Sequence, residues 1–442
     1  MKPDTTAARK TFPRWLLPFL LALGGYLFLA FFSLQRGRLP LGIWWSVQAT
    51  GWIACAWFLR TARASWPSMS AILVMALLFR ICGLWATPTL EDDYHRYLWD
   101  GWRTLHDGSP YDHAPQDFFA RPETRPPGIE TALNELNHPD LTTIYTPVTQ
   151  LLFAAAAAIA PGSLVTLKAL LLLIDAALIL LLSICAGRAA AWFYGWCPLV
   201  VVENAFHAHP EGWALLWLIA AWICARRRRY FVAGLLAGVA VAAKLFALLA
   251  VPFLVWRRPL VVVPALLAAL TFIYGPILAA GSSAEWAGLQ AMAGTFKFNS
   301  LGYALLALCF GPEAARLLWA ILFGLLAALF FAQWARHKRS LAQAPVAEVF
   351  LVFFLLAPVL NPWYAVWLVP FAVAARTPAA VALLVAVPLS YATGLNLGDP
   401  TLANYAQPAL VRPVEFGIVM LAALAGLAPI RRRLPGALSL AG

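Results

Sequence analysis

Long apolar stretches recur along this chain from Trp15 to Ile430, and many are near the roughly 20 residues that a helix needs to cross a bilayer. A soluble protein could bury one such stretch, but this chain of 442 residues is 62% hydrophobic and only 12% charged. Polar backbone groups in lipid must pair internally, and a helix pairs them within one segment. We therefore predict an all-α, polytopic transmembrane protein of about 11–13 spans, with residues 1–442 forming a single membrane domain.

The basic residues fall in short clusters between the apolar stretches, so the net charge of +12 does not indicate nucleic-acid binding. Short loops rich in Lys and Arg stay in the cytoplasm, and the clusters therefore mark the inner face of the membrane. We expect both termini to be cytoplasmic, and we expect Trp15–Phe32 to be a span because it is too long for a cleavable signal. The clusters lie at residues 2–14, 60–63, 226–229, 257–258, 336–339 and 431–433.

Three predicted spans, at residues 15–33, 41–59 and 69–88, place the next loop on the outer face. That loop, residues 89–146, is the only long polar stretch of the sequence, and it holds 11 of the 20 acidic residues and 4 of the 7 histidines. Loops of this length are uncommon unless they are functional. We therefore predict that this external loop carries the active site.

Further apolar segments follow the loop, and several are too short to cross the membrane alone. Between residues 147 and 202 the assignment of spans stays open, because full-length spans do not satisfy all of the inner-face clusters. We expect the later loops 281–300 and 392–412 to be external. The apolar segments lie at residues 147–161, 164–186, 189–202, 213–225, 230–243, 245–256, 259–280, 301–311, 314–334, 347–360, 363–375, 378–395 and 413–430.

Lys244 stands between two short apolar segments, and inner-face clusters flank this pair of segments on both sides. The chain must therefore turn back near Lys244, which places this residue at a helix break close to the outer face. Broken helices at membrane depth are tolerated where they line a wet cavity. An isolated Lys in an apolar segment is costly unless it has a partner or a function, so we predict that Lys244 belongs to a site.

The beginning of the external loop has the pattern of an amphipathic helix. Its aromatic and aliphatic face would lie along the membrane surface, and the helix would end at the turn 107–110. The pairs Arg96/Asp100 and Arg103/Asp107 have the spacing of ion pairs one helical turn apart. The apolar face holds Tyr94, Tyr97, Leu98, Trp102 and Leu105, and the polar face holds Asp93, Arg96, Asp100, Arg103 and Asp107.

Three consecutive acids, Glu91, Asp92 and Asp93, stand where the third predicted span leaves the membrane. Adjacent carboxylates raise one another's pKa and attract either a metal ion or a hydroxyl proton. A general base needs to lie within hydrogen-bond reach of the attacking oxygen. The alternative is that these acids only cap the positive end of the helix and solvate the loop.

The segment 91–101, Glu-Asp-Asp-Tyr-His-Arg-Tyr-Leu-Trp-Asp-Gly, resembles the first external loop of bacterial GT-C glycosyltransferases, as does 108–111, Gly-Ser-Pro-Tyr. More narrowly, it is similar to the mannosyltransferase-like branch that uses polyprenyl-phosphate sugars. Ala208 and Glu211 depart from a more usual Gly-His-Asp-like arrangement. Weaker likenesses spread over residues 88–370, at Asn137–Pro139, Ile144–Pro147, Pro198–Glu203, His207–Glu211, Lys244, Phe298–Ser300 and Asn361–Tyr364.

The resemblance implies a direct, inverting displacement on the periplasmic face of a bacterial inner (plasma) membrane. An external carboxylate takes the proton from an acceptor hydroxyl, the hydroxyl oxygen attacks the anomeric carbon, and polyprenyl phosphate departs. Cations are needed beside the leaving phosphate. The implied partners are a polyprenyl-phosphate sugar donor (mannose or another hexose), a glycolipid or glycan acceptor and membrane lipids, without nucleic acid.

The resemblance also implies roles for individual residues. The base is Asp92 or Asp93, and the neighbouring Arg96 and Tyr97 slightly favour Asp93. No cofactor is implied, although the three consecutive acids could supply oxygen ligands to a divalent metal ion. The candidate phosphate contacts are Arg96, Lys244 and Lys297. The full substrate-binding set is Glu91, Tyr94, Arg96, His138, Tyr145, His209, Lys244, Lys297, Asn299, Trp363 and Tyr364.

Several of these residues also have simpler structural interpretations. Arg96 could only form ion pairs along its helix, Lys297 could be an interfacial anchor, and His138 could only shape the loop. Trp363 and Tyr364 could belong to an interfacial aromatic belt. The residue types alone leave these alternatives open.

A metal site near the second histidine segment is a weaker hypothesis. His207, His209 and Glu211 superficially resemble metal ligands, but their spacing suits a helix poorly and the sequence shows no third strong ligand. We therefore assign no metal site and expect either the lining of a polar pocket or a buried histidine with its hydrogen bonds satisfied. The isolated acids Asp175 and Glu203 are expected to face the interior of the helix bundle, each with a partner.

Two other classes of protein compete with an enzyme. A transporter or flippase of a lipid-linked substrate would use charges and broken helices inside the membrane, and it needs no acid cluster in a large external loop. A structural assembly subunit would tolerate exchange of the loop acids for amides. The concentration of charge outside the hydrocarbon and the absence of a visible inverted repeat in the sequence favour the enzyme.

Overall fold

The computed structural model describes residues 12–34, 40–62, 66–375 and 377–427, and the predicted inner-face clusters at 2–10, 63 and 431–433 lie outside these ranges. Within the described ranges the chain forms 21 α-helices and no β-strand, which confirms the predicted all-α fold. The helices are α1 Leu16–Leu34, α2 Leu41–Thr61, α3 Met69–Leu84, α4 Asp93–Asp107, α5 Pro127–Glu135, α6 Pro147–Ile159, α7 Leu164–Ala186, α8 Arg188–Trp196, α9 Pro198–Val200, α10 Glu211–Arg226, α11 Tyr230–Ala243, α12 Val251–Val255, α13 Pro259–Ala279, α14 Trp286–Thr295, α15 Gly302–Phe310, α16 Pro312–Arg336, α17 Val346–Leu356, α18 Val369–Ala375, α19 Pro378–Ala386, α20 Gly394–Leu397 and α21 Val411–Leu427. Short 3-10 segments lie at Pro115–Phe118, Leu245–Leu249, Leu341–Gln343, Pro362–Leu368 and Val387–Tyr391, and a π-helical turn lies at Val201–Phe206.

Four helices of the described chain, α1, α7, α13 and α16, are long and apolar enough to cross a membrane alone. Shorter apolar helices, among them α3, α6 and α11, lie between them. Helix α16 buries little of its surface against the rest of the protein, as expected for a helix that faces lipid. The predicted polytopic membrane architecture is thereby confirmed.

Helix boundaries in the middle of the chain follow the apolar pattern closely. The predicted segments 164–186 and 230–243 coincide with α7 and α11. Lys244 follows α11 in an extended conformation, with φ −161° and ψ 127°, and the chain continues as a 3-10 turn. The predicted helix break at Lys244 is confirmed.

The region 189–202, which the sequence left open, is broken into short pieces. Helix α8 ends at Trp196, α9 starts at Pro198, and the π-helical turn follows directly. Pro198 lacks a backbone N–H, so it begins a new helix more readily than it continues an existing one. These pieces are too short to cross a membrane separately, which explains why full-length spans did not fit.

The predicted helix at the start of the loop 89–146 is confirmed by α4, but its surroundings differ from the prediction. It starts at Asp93 and ends at Asp107. Gly108 follows in a left-handed conformation, with φ 76°, and caps the end of the helix. Tyr97, Leu98 and Trp102 are buried in protein, and so are the polar residues Asp100 and Arg103. The expectation of an apolar face against lipid is wrong for these residues, because α4 packs on α6 and α5.

Two further helices lie in stretches that the sequence analysis treated as irregular loop. Helix α5 lies within the loop 89–146, and α14 lies within the loop 281–300. Both are short, with nine and ten residues, and neither is apolar enough to be recognised as a membrane segment.

Buried charged side chains connect α3 to α7 at two positions along α3. Arg80 Nε lies 2.6 Å from Asp175 Oδ2, and the Tyr194 hydroxyl donates to Asp175 Oδ1 at 2.8 Å. One turn further along α3, Lys168 Nζ donates to the carbonyls of Gly83 and Ala86, at 3.0 and 2.6 Å. The expectation that Asp175 faces the bundle interior with a partner is confirmed. The contacts of Lys168 also fix the end of α3, just before the loop 89–146 begins.

Helices α11 and α13 approach closely through two glycines that are four residues apart. A Cβ atom on Gly234 would lie 2.5 Å from the carbonyl oxygen of Val262, and one on Gly238 would lie 2.7 Å from Ala269 Cβ. Small residues at this spacing allow helices in a membrane to pack backbone against backbone. This contact holds α11, and therefore Lys244 at its end, against the bundle.

Replacing Gly234 by Val should destabilise the protein by about 1–3 kcal/mol, because the added side chain forces α11 and α13 apart. The measurement is thermal or denaturant unfolding in detergent, followed by tryptophan fluorescence. Gly275→Val is the matched control, because no described atom lies within 4 Å of a Cβ at Gly275. Equal stability of the two variants would contradict the close packing.

Candidate active site

A cavity of about 610 Å³ opens beside the start of α4. Its wall is built from residues 88–96, the loop 135–145, Lys244, the segment 292–298 and residues between 359 and 405. Both predicted catalytic residues and nine of the eleven predicted substrate-binding residues line it. The nine are Glu91, Tyr94, Arg96, His138, Tyr145, Lys244, Lys297, Trp363 and Tyr364.

Asp93 is the first residue of α4, and a row of hydroxyl groups leads from it into the protein. The Tyr145 hydroxyl donates to Asp93 Oδ2 at 3.3 Å, and it also lies 3.3 Å from the Tyr97 hydroxyl. The Tyr97 hydroxyl lies 3.0 Å from His209 Nδ1. Loss of solvent raises the pKa of Asp93, while Lys244 and the Tyr145 hydrogen bond offset part of this effect.

Asp92 and Glu91 complete the acidic side of the cavity. The side-chain amide of Asn137 donates to Asp92 Oδ1. Burial, together with the neighbouring charge of Asp93, raises the pKa of Asp92 to about 6. Loss of solvent and the charge of Asp93 raise the pKa of Glu91 well above its usual value. Three carboxyl groups that share one cavity therefore hold fewer than three negative charges near pH 6.

Lys244 supplies positive charge opposite the acids. Its Nζ donates to Glu211 Oε1 at 2.8 Å and lies 5.5 Å from the centres of the Tyr145 and Tyr364 rings. The 3-10 segment 362–368 holds Glu211 in turn, because the indole N–H of Trp367 donates to Glu211 Oε2. Lys244 is thus a fixed cation that is only partly exposed, with a side-chain exposure of 20%.

Arg96 lines the cavity but also holds the loop opposite it. Its guanidinium donates to the carbonyl oxygens of Leu141 at 3.1 Å, Asn137 at 3.1 Å and His138 at 2.8 Å. The predicted pair of Arg96 with Asp100 is not formed among the described residues, since Asp100 accepts from Gln150 at 3.2 Å. The pair Arg103/Asp107 is confirmed.

The outer rim of the cavity carries residues with fewer contacts. Lys297 is exposed, and its Nζ lies 5.7 Å from the centre of the Tyr303 ring. His138 is also exposed, has a positive φ of 52°, and packs its ring edge-on against Phe296 at 4.8 Å. The interpretation of His138 as a residue that shapes the loop fits this backbone conformation.

Two predicted substrate-binding residues lie behind the cavity wall. Asn299 is buried and donates to Glu415 Oε1 at 2.8 Å, so the structure gives it a partner in α21. His209 is buried beneath Trp363, with ring centres 4.0 Å apart and nearly parallel planes. His209 therefore acts on the cavity through Trp363 and Tyr97.

Several residues of the cavity wall are not marked by any pattern in the sequence. Asn137 lies in a segment that was singled out, but its bond to Asp92 spans 45 residues and has no local signal. Thr393, Asn396 and Tyr405 come from a stretch that was expected to be an external loop, and nothing in their spacing marks them. Long-range contacts of this kind depend on how the helices pack.

Two groups of side chains in the described chain have the geometry to hold a metal ion. One is the acidic run Glu91, Asp92 and Asp93, at the cavity surface. The other consists of Glu203, His207 and His209, all buried. Glu211, which the sequence analysis grouped with the histidines, pairs with Lys244 instead.

Comparison with known proteins gives one family match. Residues 20–259, more than half of the chain, match the MptA_B family, described as alpha-(1->6)-mannopyranosyltransferase, N-terminal domain. The matched region contains the acidic run, the rest of the loop 89–146 and Lys244. Comparisons with curated proteins and with solved structures found no match.

Replacing Arg96 by Met should loosen the segment 137–141, because hydrogen bonds from a charged donor contribute about 1.5–3 kcal/mol each. We expect the amides of this segment to exchange hydrogen at least about tenfold faster, measured by mass spectrometry in nanodiscs. Arg121→Met is the matched control, since Arg121 is exposed in the same loop. Unchanged exchange in the Arg96 variant would show that the loop is held by other contacts.

Proposed function

Because the chain belongs to the MptA_B family of alpha-(1->6)-mannopyranosyltransferases, it is a membrane glycosyltransferase of the GT-C type, and we propose that it transfers mannose from a polyprenyl-phosphate donor. The acceptor is a lipid-linked or cell-surface glycan. The flippase alternative has no comparable support, because the family match is to a transferase.

The main support for this proposal is that an acid, Asp93, and a cation, Lys244, line the same cavity. The charge of Lys244 is close enough to lower the pKa of Asp93. A glycosyl transfer needs these two groups on either side of the reacting carbon, one for the incoming hydroxyl and one for the departing phosphate. A cavity of about 610 Å³ suits a sugar and its phosphate.

In the proposed reaction Asp93 is the general base. Its carboxylate takes the proton of the acceptor hydroxyl as the hydroxyl oxygen forms a bond to the anomeric carbon. The bond from that carbon to the phosphate oxygen breaks, and its electron pair leaves with polyprenyl phosphate. The displacement inverts the anomeric carbon, so an α-linked product requires a β-linked donor. The family description further suggests the 6-hydroxyl of a mannose as the acceptor group.

The proposed roles of the remaining residues follow from their contacts. Lys244 stabilises the phosphate that departs, and Lys297 at the rim is positioned for the phosphate or the glycan. Tyr145 orients Asp93 through its hydroxyl. Asp92 is held by Asn137 and is therefore proposed to position the acceptor rather than to act as the base.

We also propose where the reaction takes place. Residues 1–442 act as one membrane domain, and the loop 89–146 lies on the periplasmic face of a bacterial inner membrane with both termini in the cytoplasm. The donor's lipid chain stays in the bilayer while its sugar reaches the cavity. No cofactor is required by this reaction.

Asp93→Asn should lower turnover by about 10²–10⁴-fold, because an amide cannot accept the proton of the acceptor hydroxyl. The assay uses purified protein in nanodiscs with labelled polyprenyl-phosphate mannose and follows transfer to a glycolipid extract. Asp92→Asn should retain more activity than Asp93→Asn. Asp112→Asn, exposed in the same loop, is the matched control and should be fully active. A larger loss for Asp92→Asn would assign the base to Asp92.

Lys244→Met should lower turnover by about 10²–10³-fold by removing the cation at the leaving phosphate. It should also change the pH profile. The base must be ionised, so the rate falls as the pH drops through its pKa, and removing a cation that lowers this pKa moves the fall to higher pH. Lys244→Arg should restore the native profile, and the exposed Lys338→Met is the control. A native pH profile in Lys244→Met would contradict the proposed pairing.

A further inference from the structure

Behind the cavity, three buried side chains converge on one point. Glu203 belongs to the π-helical turn, and His207 and His209 follow it directly. Their ligand atoms all lie within 4.8 Å of one another, and all three residues are almost fully shielded from solvent. We propose that Glu203, His207 and His209 bind a divalent transition metal ion, with Zn²⁺ as the expected ion.

The distances from the Glu203 carboxylate to the two imidazoles are close to those between two ligands of one zinc ion. Glu203 Oε2 lies 3.2 Å from His207 Nδ1 and 3.6 Å from His209 Nε2. Ligand atoms about 2.0–2.1 Å from a tetrahedral zinc ion are about 3.3–3.4 Å apart. Two imidazoles and one carboxylate are a donor set that favours Zn²⁺ over Ca²⁺ or Mg²⁺, which prefer oxygen ligands.

The most specific sign of a ligand is the outer nitrogen of His209. His209 Nε2 is buried and has no hydrogen-bond partner among the described residues, because Glu203 Oε2 lies just beyond hydrogen-bond distance. Leaving such a group unsatisfied is costly. A metal ion between His209 and Glu203 would supply the missing partner.

The surroundings of the three residues match those of metal ligands in other proteins. The other ring nitrogen of His209, Nδ1, lies 3.0 Å from the Tyr97 hydroxyl, and in the tautomer in which Nδ1–H donates to that hydroxyl, Nε2 has a lone pair for a metal ion. The Tyr391 hydroxyl lies 3.1 Å from Glu203 Oε1 and 2.9 Å from Glu203 Oε2, and it thus holds the carboxylate in place. Metal-binding histidines and carboxylates typically have second partners of this kind.

The backbone conformation explains why the spacing of Glu203, His207 and His209 in the sequence does not indicate a metal site. A π-helical turn widens the segment that carries Glu203, and Ala208 has a positive φ of 65°. This conformation is unusual for a residue with a side chain, and it places His207 and His209 on the same side of the chain. The third ligand therefore comes from upstream, at Glu203, and not from Glu211 as the sequence grouping had considered.

An ion at this site would have a structural role and not a catalytic one. The site is closed off from the cavity by Trp363, whose ring stacks on His209 at 4.0 Å. An ion there would fix the position of Trp363 and, through Tyr97, of the hydroxyl row that reaches Asp93. The proposal does not depend on the identity of the donor sugar, because metal content is measured without any substrate.

The test uses the full chain with a tag that contains no histidine, purified in nanodiscs, stripped with a chelator, and then dialysed against ZnCl₂ and metal-free buffer. Inductively coupled plasma mass spectrometry should find close to one zinc ion per chain. Glu203→Gln and His209→Gln should lower the zinc content to the background. His113→Gln, which replaces an exposed histidine of the external loop, should leave it unchanged.

A second measurement uses the native chain and Tyr97→Phe, so that the result does not depend on ligand variants that fail to fold. Co²⁺ bound to the native chain should show the visible absorption of a tetrahedral nitrogen and oxygen site. Tyr97→Phe should weaken metal affinity by about 10–100-fold, because it removes the partner of His209. Absence of stoichiometric zinc in the native chain would overturn the proposal. Zinc that persists in Glu203→Gln and His209→Gln but disappears in Glu91→Gln would also overturn it and would place the ion in the acidic run.

Discussion

The ion pair between Arg80 and Asp175 determines how the rest of this molecule is arranged. Neither charge can face hydrocarbon without a large cost, so α3 and α7 have to lie side by side with this pair between them. Lys168 adds a second connection at the end of α3 through the carbonyls of Gly83 and Ala86. The chain then leaves the bundle at a fixed point, and the acidic run follows within a few residues. The position of the candidate base is therefore set by buried charges that take no part in the chemistry.

The candidate site combines two kinds of polar environment. At the cavity surface, loss of solvent raises the pKa of both Asp92 and Asp93, and the neighbouring charge of Asp93 helps to raise the pKa of Asp92 to about 6. Deeper in the protein, Glu203 and the two histidines are almost completely enclosed. The Tyr145 and Tyr97 hydroxyls connect these two environments through a short row of hydrogen bonds from Asp93 to His209.

Features that depend on local pattern could be predicted from the sequence. Apolar length located α7 and α11, and the isolated charge of Lys244 marked the helix break. Features that depend on packing could not. Nothing near Arg96 indicates that it binds carbonyls more than 40 residues away, and nothing near Asn299 points to Glu415. Glu203 and the histidines are close in sequence, yet only the π-helical turn and the strained backbone at Ala208 bring their ligand atoms together.

The cavity wall draws on parts of the chain that are far apart in the order of synthesis. The acids come from the first quarter, whereas Trp363, Thr393 and Tyr405 come from the last quarter. A nascent chain inserted into the membrane as far as α13 already carries Asp93 and Lys244, but one side of their cavity is still missing. The cavity wall is therefore complete only after the final helices have been inserted, although both charged groups are present long before.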